Sequence, residues 1–264
     1  MHVAPPDLRA LRQGGLVIRF AILGSIAFVL AEVPESGSSG TSFEQPSRQP
    51  HWALVIEGEV TFEGDGAPLR IPAGHALYVP SGGPEHRFHA TGGSRIGGFQ
   101  PIDPSVEVTD PILAQHGFEI LAPAANGGAA PIVVPTIGGS ASGAGTIDAE
   151  SWPMPPYAMT AARFGPASGF TADWCDAPHW GLVTGGQLVI EYEHDVELVT
   201  AGDVYYCPAG APAHRLQAAD PAAIVDLTPI EAIVGDGRIA EWRRTALVQA
   251  GDHEPGAISV VALG

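Results

Sequence analysis

Short apolar runs separated by turn residues are the dominant pattern along this chain. The runs ALVIEGEVTFE (53–63) and GLVTGGQLVIEYE (181–193) are rich in β-branched and large apolar residues, and each contains a glycine at which a strand can bulge or bend. Each run is followed by a hairpin sequence and by a short strand that ends at a proline, within residues 64–83 and 194–210. Short strands at this spacing predict an all-β protein with a barrel or sandwich architecture.

The long apolar run LVIRFAILGSIAFVLA (16–31) predicts a β-hairpin. Arg19 interrupts the run, Gly24-Ser25 is typical of a turn, and its length is below the roughly 20 apolar residues that a membrane helix needs. A secretory signal peptide is the alternative that the sequence leaves open, because Arg9 and Arg12 precede the run.

Near the end of the chain, the segment GRIAEWRRTALVQAG (237–251) predicts a helix. Ile239, Trp242 and Ala246 recur in it near helical spacing. We expect this helix to pack on a barrel and to carry no catalytic residue.

The two halves of the chain repeat one set of residues at a constant offset of 128 positions, as in the equivalence of His51 and His179. The matched pairs are His51-Trp52 with His179-Trp180, Gly58 with Gly186, Gly74 with Gly202, Pro80 with Pro208, Gly82 with Gly210, and His86-Arg87 with His214-Arg215. No gap is needed between these points, and such constant spacing indicates a duplicated module.

The repeat predicts two domains joined by a flexible connection. Residues 121–147 are mainly Gly, Ala, Pro and Ser with almost no charge, which is the composition of a linker. We therefore assign an N-terminal barrel to residues 1–120, a linker to 121–147, and a C-terminal barrel with the terminal helix to 148–264.

The repeated residues resemble the two motifs of the cupin family. The first cupin motif ends in an acidic metal ligand seven residues before a glycine, and the glycines shared by the two halves place His51 and His179 at that position. The second motif reads G-x5-P-x-G followed closely by a histidine, which corresponds to His86 and His214, one residue late. The resemblance implies an all-β chain with two tandem antiparallel jelly-roll barrels, that is, a bicupin.

Two ligand positions depart from the family pattern. The histidines that precede the acid in cupins correspond to Gln45 and Ser47 in the first half, and to Asp173 and Cys175 in the second half. The first half therefore lacks good metal ligands at these positions, whereas a thiolate and a carboxylate in the second half can bind a metal.

The resemblance implies a divalent transition metal, such as zinc, iron, manganese or nickel. It also implies chemistry on a small organic molecule, by an oxygenase, an isomerase or a related enzyme. The second half offers four ligands of suitable type, namely His179, His214, Cys175 and Asp173. Because the first half offers only His51 and His86, we expect the metal chiefly in the second barrel.

A ligand pocket is also implied by the resemblance. Tyr78 and Tyr206 precede the turn of the second motif, where cupins often line their ligand cavity. No residue is assigned a catalytic role.

Three other interpretations stay open. The repeated histidines can be structural residues that hydrogen-bond to a turn, and Cys175 can be a nucleophile with His179 as its base. The chain can also be a non-catalytic bicupin that binds a small molecule or has a structural role, without a functional metal site.

Charge and cysteine content narrow the partners and the compartment. With 12 Lys and Arg against 29 Asp and Glu, the chain carries a net charge of −17, which disfavours binding to nucleic acid and to anionic membranes. Two cysteines cannot form a dense disulfide framework, so we expect a cytoplasmic protein, with one Cys175–Cys207 bridge left open. Strand edges and the apolar hairpin favour a homodimer that acts on a small-molecule ligand.

Overall fold

A computed structural model describes most of both halves of the chain. The described residues are 2–4, 8–13, 15–35, 41–42, 47, 49–103, 109, 119–120, 144–169, 174–235, 237–249 and 259–263. Strands predominate among them, which confirms the predicted all-β class. Residues 121–143 of the predicted linker, 121–147, lie outside the described residues.

The described strands and helices have the following bounds. They are β1 (His2–Val3), β2 (Arg9–Gln13), β3 (Leu16–Leu23), β4 (Ile26–Glu32), β5 (Thr41–Ser42), β6 (His51–Glu57), β7 (Glu59–Glu63), β8 (Leu69–Pro72), β9 (His75–Val79), β10 (Arg87–Ala90), β11 (Arg95–Pro101), β12 (Glu119–Ile120), β13 (Ile147–Met154), β14 (Tyr157–Phe164), β15 (His179–Gly185), β16 (Gln187–Tyr192), β17 (Val196–Thr200), β18 (Val204–Cys207), β19 (His214–Gln217), β20 (Ala222–Pro229), α1 (Ile230–Val234), α2 (Glu241–Gln249) and β21 (Ser259–Ala262).

The chain forms two compact units. The first unit comprises Pro6–Ala130 and Ala257–Ala262, and the second comprises Met1–Pro5, Pro131–Gly256 and Leu263–Gly264. Each unit has its own buried core, with Phe62 and Ile71 in the first and Phe164 and Ile190 in the second.

Each unit combines a large and a small antiparallel sheet. The large sheet has the order β12-β2-β3-β4-β11-β6-β9-β21 in the first unit and β1-β18-β15-β20-β14-β13 in the second. The small sheets are β5-β10-β7-β8 and β17-β16-β19. Six strands of the large sheets and three of the small sheets match in order, with β6 and β15 at equivalent places, whereas β12, β2 and β5 have no counterpart among the described strands of the second unit. The units are two antiparallel jelly-roll barrels.

Each large sheet ends in a strand from the opposite end of the chain. In the first unit β21 pairs with β9, with Val261 opposite Ala76. In the second unit β1 pairs with β18, with Val3 opposite Val204, and Val204 is the repeat equivalent of Ala76. The division predicted from the sequence assigned β1 to the N-terminal barrel and β21 to the C-terminal barrel. The exchange gives β9 and β18 a partner at what would otherwise be an open edge.

Two local predictions from the sequence are confirmed. The run 16–31 forms the hairpin of β3 and β4, which turns at Gly24-Ser25. The segment 237–251 contains α2, which begins at Glu241. Neither of the two described helices has the length and hydropathy that crossing a membrane requires.

The repeated glycines are explained by backbone conformation. All six have a positive φ, and they are Gly58, Gly186, Gly74, Gly202, Gly82 and Gly210. This region is sterically costly for a residue with a Cβ. At Gly186 a Cβ would also overlap the carbonyl oxygen of Pro221, whereas at Gly210 it would meet open space.

We predict that Gly186→Ala destabilises the second barrel much more than Gly210→Ala. The φ values are +67° and +85°, so both variants incur a left-handed backbone cost of about 1–2 kcal/mol. Gly186→Ala adds a clash with backbone, worth about 1–3 kcal/mol more. Urea unfolding followed by far-UV circular dichroism measures the difference, and equal losses in the two variants would contradict this explanation.

Candidate metal centre

The second barrel brings a thiol and two imidazoles together. His179 is the first residue of β15 and His214 is the first residue of β19. Cys175 forms an antiparallel bridge with His214, in which each amide N–H donates to the other residue's carbonyl, at 2.7 and 2.8 Å. One possible ligand atom from each of the three residues lies within 4.8 Å of those from the other two.

Cys175 and His179 have side-chain hydrogen-bond contacts that His214 lacks among the described residues. Cys175 Sγ lies 3.1 Å from His179 Nε2, and His179 Nδ1 lies 2.7 Å from the Thr228 hydroxyl. The His214 side chain is buried, but neither of its ring nitrogens has a hydrogen-bond partner among the described residues. An unsatisfied buried polar group costs about 1–3 kcal/mol, so His214 is suited to bind a metal or a ligand.

Burial keeps the metal-free cluster uncharged. It lowers the pKa of His214 to about 3, helped by the positive charge of Arg243. The pKa of His179 lies well below its ordinary value for the same reasons, with a further contribution from His214. Burial raises the pKa of the Cys175 thiol. The imidazoles are therefore neutral and ready to bind a metal, and the thiol would release its proton on metal binding.

A buried ion pair lies beside the cluster. Arg243 of α2 donates from Nη1 to both carboxylate oxygens of Asp226, at 2.9 and 2.7 Å. The Tyr205 hydroxyl donates to the same carboxylate, at 3.2 Å. Arg243, Cys175, His179 and His214 line one small cavity.

Arg243 is the residue that sequence reasoning missed, because α2 was expected to carry no functional group. The signal was present in the spacing. Arg243 lies four residues after Ile239 and three before Ala246, on the face that is buried. A basic residue on an apolar face predicts a buried partner, and Asp226 is the single acid within the apolar strand β20.

The first barrel repeats the backbone bridge and the pair of histidines, but a serine takes the place of the thiol. Ser47 replaces Cys175 and bridges His86 through backbone hydrogen bonds of 2.8 and 3.0 Å. The Ser47 hydroxyl lies 3.2 Å from His51 Nε2, and Gln100, the equivalent of Thr228, hydrogen-bonds to the His51 ring. The two imidazole centroids are 5.0 Å apart, against 5.1 Å in the second barrel.

Aromatic rings fill the space around the first pair of histidines. Phe62 stacks on His86 at 5.3 Å, and Phe88 contacts both His51 and His86 edge-on at 5.4 Å. The equivalent residues of the second barrel are the smaller Ile190 and Leu216. A hydroxyl is a poor ligand for transition metals, so both the donor set and the packing make the first barrel a weaker candidate.

The remaining predicted site residues lie elsewhere. Asp173 falls outside the described residues, so its role as a ligand stays a prediction. Tyr206 stacks on Trp180 at 5.4 Å, and Tyr78 packs on Trp52 at 5.7 Å. Tyr205 faces the barrel interior instead, because neighbouring strand residues point to opposite faces. A ligand role for Tyr78 and Tyr206 stays a prediction. Both cysteines are free, so the Cys175–Cys207 bridge does not form.

Comparisons with known proteins agree with this architecture. Residues 29–96 match the family model described as the cupin domain. A variant of oxalate decarboxylase from Bacillus subtilis has 15% identity and a TM-score of 0.60, over 99% of this chain and 88% of its own. AerE from Microcystis aeruginosa has 10% identity and a TM-score of 0.56, over 85% of this chain and 99% of its own. A search of curated proteins found no match to the chain.

We predict that His51 makes the stability of the protein depend on pH. Burial, with a contribution from His86, lowers the pKa of His51 to about 4, whereas the unfolded chain has the ordinary value of 6.5. Unfolded protein therefore takes up a proton first as the pH falls. The contribution of His51 is complete above about pH 6.5, and roughly 3 kcal/mol of it is lost by about pH 4.

The test is urea unfolding from pH 7.5 to 4.5 for the wild type and His51→Gln. The variant should show a shallower loss of unfolding free energy on acidification. His194→Gln serves as the control, because the His194 side chain is 87% exposed. An unchanged slope in His51→Gln would show that burial of this imidazole does not control the pH dependence.

Proposed function

We propose that this chain is a two-barrel member of the cupin superfamily, and that its second barrel binds a divalent transition metal and acts on a small organic molecule. One observation carries the proposal. Cys175, His179 and His214 present their ligand atoms within 4.8 Å of one another in a buried place. His214, one of the three, has no other partner for either ring nitrogen among the described residues.

The donor set favours zinc or ferrous iron over manganese. A thiolate is a soft ligand and an imidazole is intermediate, and both types suit zinc and iron. Manganese instead prefers oxygen ligands. We propose Asp173, two residues before Cys175, as a fourth ligand, which would complete the set of nitrogen, sulfur and oxygen donors. A metal in this set would polarise a substrate oxygen or activate a water molecule.

The chain's own residues position and enclose this chemistry. The Thr228 hydroxyl orients the His179 ring through Nδ1, which leaves Nε2 facing the Cys175 thiol. Such an outer partner fixes both the tautomer and the direction of a ligating histidine. The backbone bridge holds Cys175 beside His214, and the buried surroundings exclude bulk water.

The nucleophile interpretation of Cys175 is weaker. Only 4% of Cys175 is exposed, and burial raises the pKa of its thiol. Reactive cysteines have the opposite properties, namely partial exposure and a lowered pKa. The raised pKa is compatible with a metal ligand, because the metal itself favours the thiolate.

The packing inside the first barrel favours a structural role for that barrel. Its histidines are packed against Phe62 and Phe88, and Ser47 stands where the second barrel has a thiol. We propose that the first barrel is structural and binds no transition metal. The non-catalytic interpretation thus applies to this barrel rather than to the whole chain.

We predict that the protein binds one equivalent of zinc or iron and that Cys175→Ser abolishes stoichiometric binding. The substitution replaces a thiolate by a hydroxyl of nearly the same size, so the barrel should still fold. Elemental analysis after metal loading and desalting measures the stoichiometry. Ser47→Ala is the matched control at the equivalent position and should retain one equivalent.

Cobalt substitution gives an independent measurement. A thiolate bound to cobalt produces a near-ultraviolet charge-transfer band, which should be present in the wild type and absent in Cys175→Ser. Metal binding by Cys175→Ser equal to that of the wild type, or no metal in the loaded wild type, would refute the proposed centre.

We also predict that the metal site can be built in the first barrel. The triple variant Ser47→Cys, Phe62→Ile, Phe88→Leu copies the second barrel's residues onto the same backbone frame. It should bind a second equivalent of cobalt with the same thiolate band. The double variant Phe62→Ile, Phe88→Leu is the control and should bind one. A triple variant that binds one equivalent would show that the three ligands alone do not suffice.

A further inference from the structure

Arg243 presents an unused hydrogen-bond donor to the cavity of the second barrel. Its Nη2 is buried and has no hydrogen-bond partner among the described residues, and only 2% of Arg243 is exposed. The cavity that Arg243 lines also contains Cys175, His179 and His214. A guanidinium group that is buried with free N–H donors needs an acceptor, and an anionic acceptor gives the strongest hydrogen bond.

The guanidinium is held in place by groups that do not use Nη2. Nη1 makes both bonds to Asp226, and the Tyr205 hydroxyl fixes the same carboxylate. The other side of the group lies over the Trp242 ring, with Cζ 4.3 Å from the ring centroid. Arg243 is therefore positioned before any ligand binds, which lowers the entropic cost of binding one.

The repeat shows that this arrangement is specific to the second barrel. Asp226 corresponds to Gly98 in the first barrel, and Tyr205 corresponds to Leu77. Gly181 opposes Tyr205 across the strands, and a Cβ at this glycine would overlap the tyrosine ring. Among the described residues, the positions equivalent to Asp226 and Tyr205 in the first barrel therefore form a packed apolar arrangement in place of the buried ion pair.

The charge of Arg243 points to the kind of ligand. Asp226 accepts from Nη1, which leaves the Nη2 donor of a charged group without an acceptor among the described residues, and an anionic group would satisfy it best. The assignment of this anion as a substrate rests on the proposed metal centre.

We propose that Arg243 binds the carboxylate of the substrate, so that the second barrel acts on a small organic acid. Nη2 donates to one carboxylate oxygen, and the rest of the molecule faces the two imidazoles and the thiol. The limited size of the cavity requires a short acid or one short end of a longer acid. Arg243 is thus a specificity-determining residue supplied by the terminal helix.

Formate and its neutral analogue formamide are suitable probes, because they are the smallest pair that differ in charge. Calorimetric titration into zinc-loaded and metal-free protein should give a formate dissociation constant at least tenfold lower than that of formamide. The test variant is Arg243→Gln with Asp226→Asn, in which two amides replace the ion pair and leave no unpaired buried charge. Formate affinity should fall at least tenfold in this variant.

The matched control is Arg163→Gln with Asp148→Asn, which removes an ion pair of 3.0 Å in the same unit away from the cavity. It should keep the wild-type affinity. Zinc stoichiometry and far-UV circular dichroism report whether each variant folds. If the first pair variant fails to fold, Arg243→Lys tests the same point, because its ammonium keeps a charge for Asp226 but loses the Nη2 donor.

The outcomes separate this inference from the metal centre. Formate binding that depends on Arg243 in metal-free protein supports the carboxylate site even if no metal binds. Formate binding that requires zinc but is unchanged in the Arg243 variants overturns the carboxylate site and leaves the metal centre intact. Equal affinity for formate and formamide, or no formate binding to either form, also overturns it.

Discussion

The backbone bridge between Cys175 and His214 is the constraint on which the candidate centre depends. Reciprocal hydrogen bonds of 2.7 and 2.8 Å make these residues a cross-strand pair, so their side chains leave the backbone side by side. His179, at the start of β15, then brings its Nε2 to 3.1 Å from the thiol. Antiparallel pairing thus places Cys175 beside His214, and the start of β15 places His179 against the thiol.

The two barrels show what this frame can and cannot do by itself. The Ser47–His86 bridge and the separation of the imidazole rings repeat in the first barrel. Its interior, however, is filled by Phe62 and Phe88, and a hydroxyl replaces the thiol. The same backbone therefore supports a packed aromatic core or a polar cavity. A few side chains decide between them, since a cavity persists only where smaller residues leave space and polar groups need partners.

Much of the fold and part of the candidate site were predictable from the sequence. The duplication, the hairpin of residues 16–31 and the terminal helix were read from spacing and turn residues, and the structure confirms them. The pairing of His179 with His214 followed from motif positions. The helical spacing carried a signal for the burial of Arg243, but not for its partner, because that requires knowing that α2 packs against β13 and β14 and brings Arg243 to Asp226 on β20. The role of Asp173 stays a prediction.

The sequence alone determined that the chain contains two copies of one β-rich module, because short apolar runs, turn glycines and the matched histidines recur at one constant offset and leave a direct trace in the residue order. Only the tertiary structure decided that each barrel is completed by a strand from the opposite end of the chain, and that a helical arginine joins the buried cluster. Such contacts join residues far apart in sequence. They depend on which surfaces pack together, and local spacing does not encode that choice.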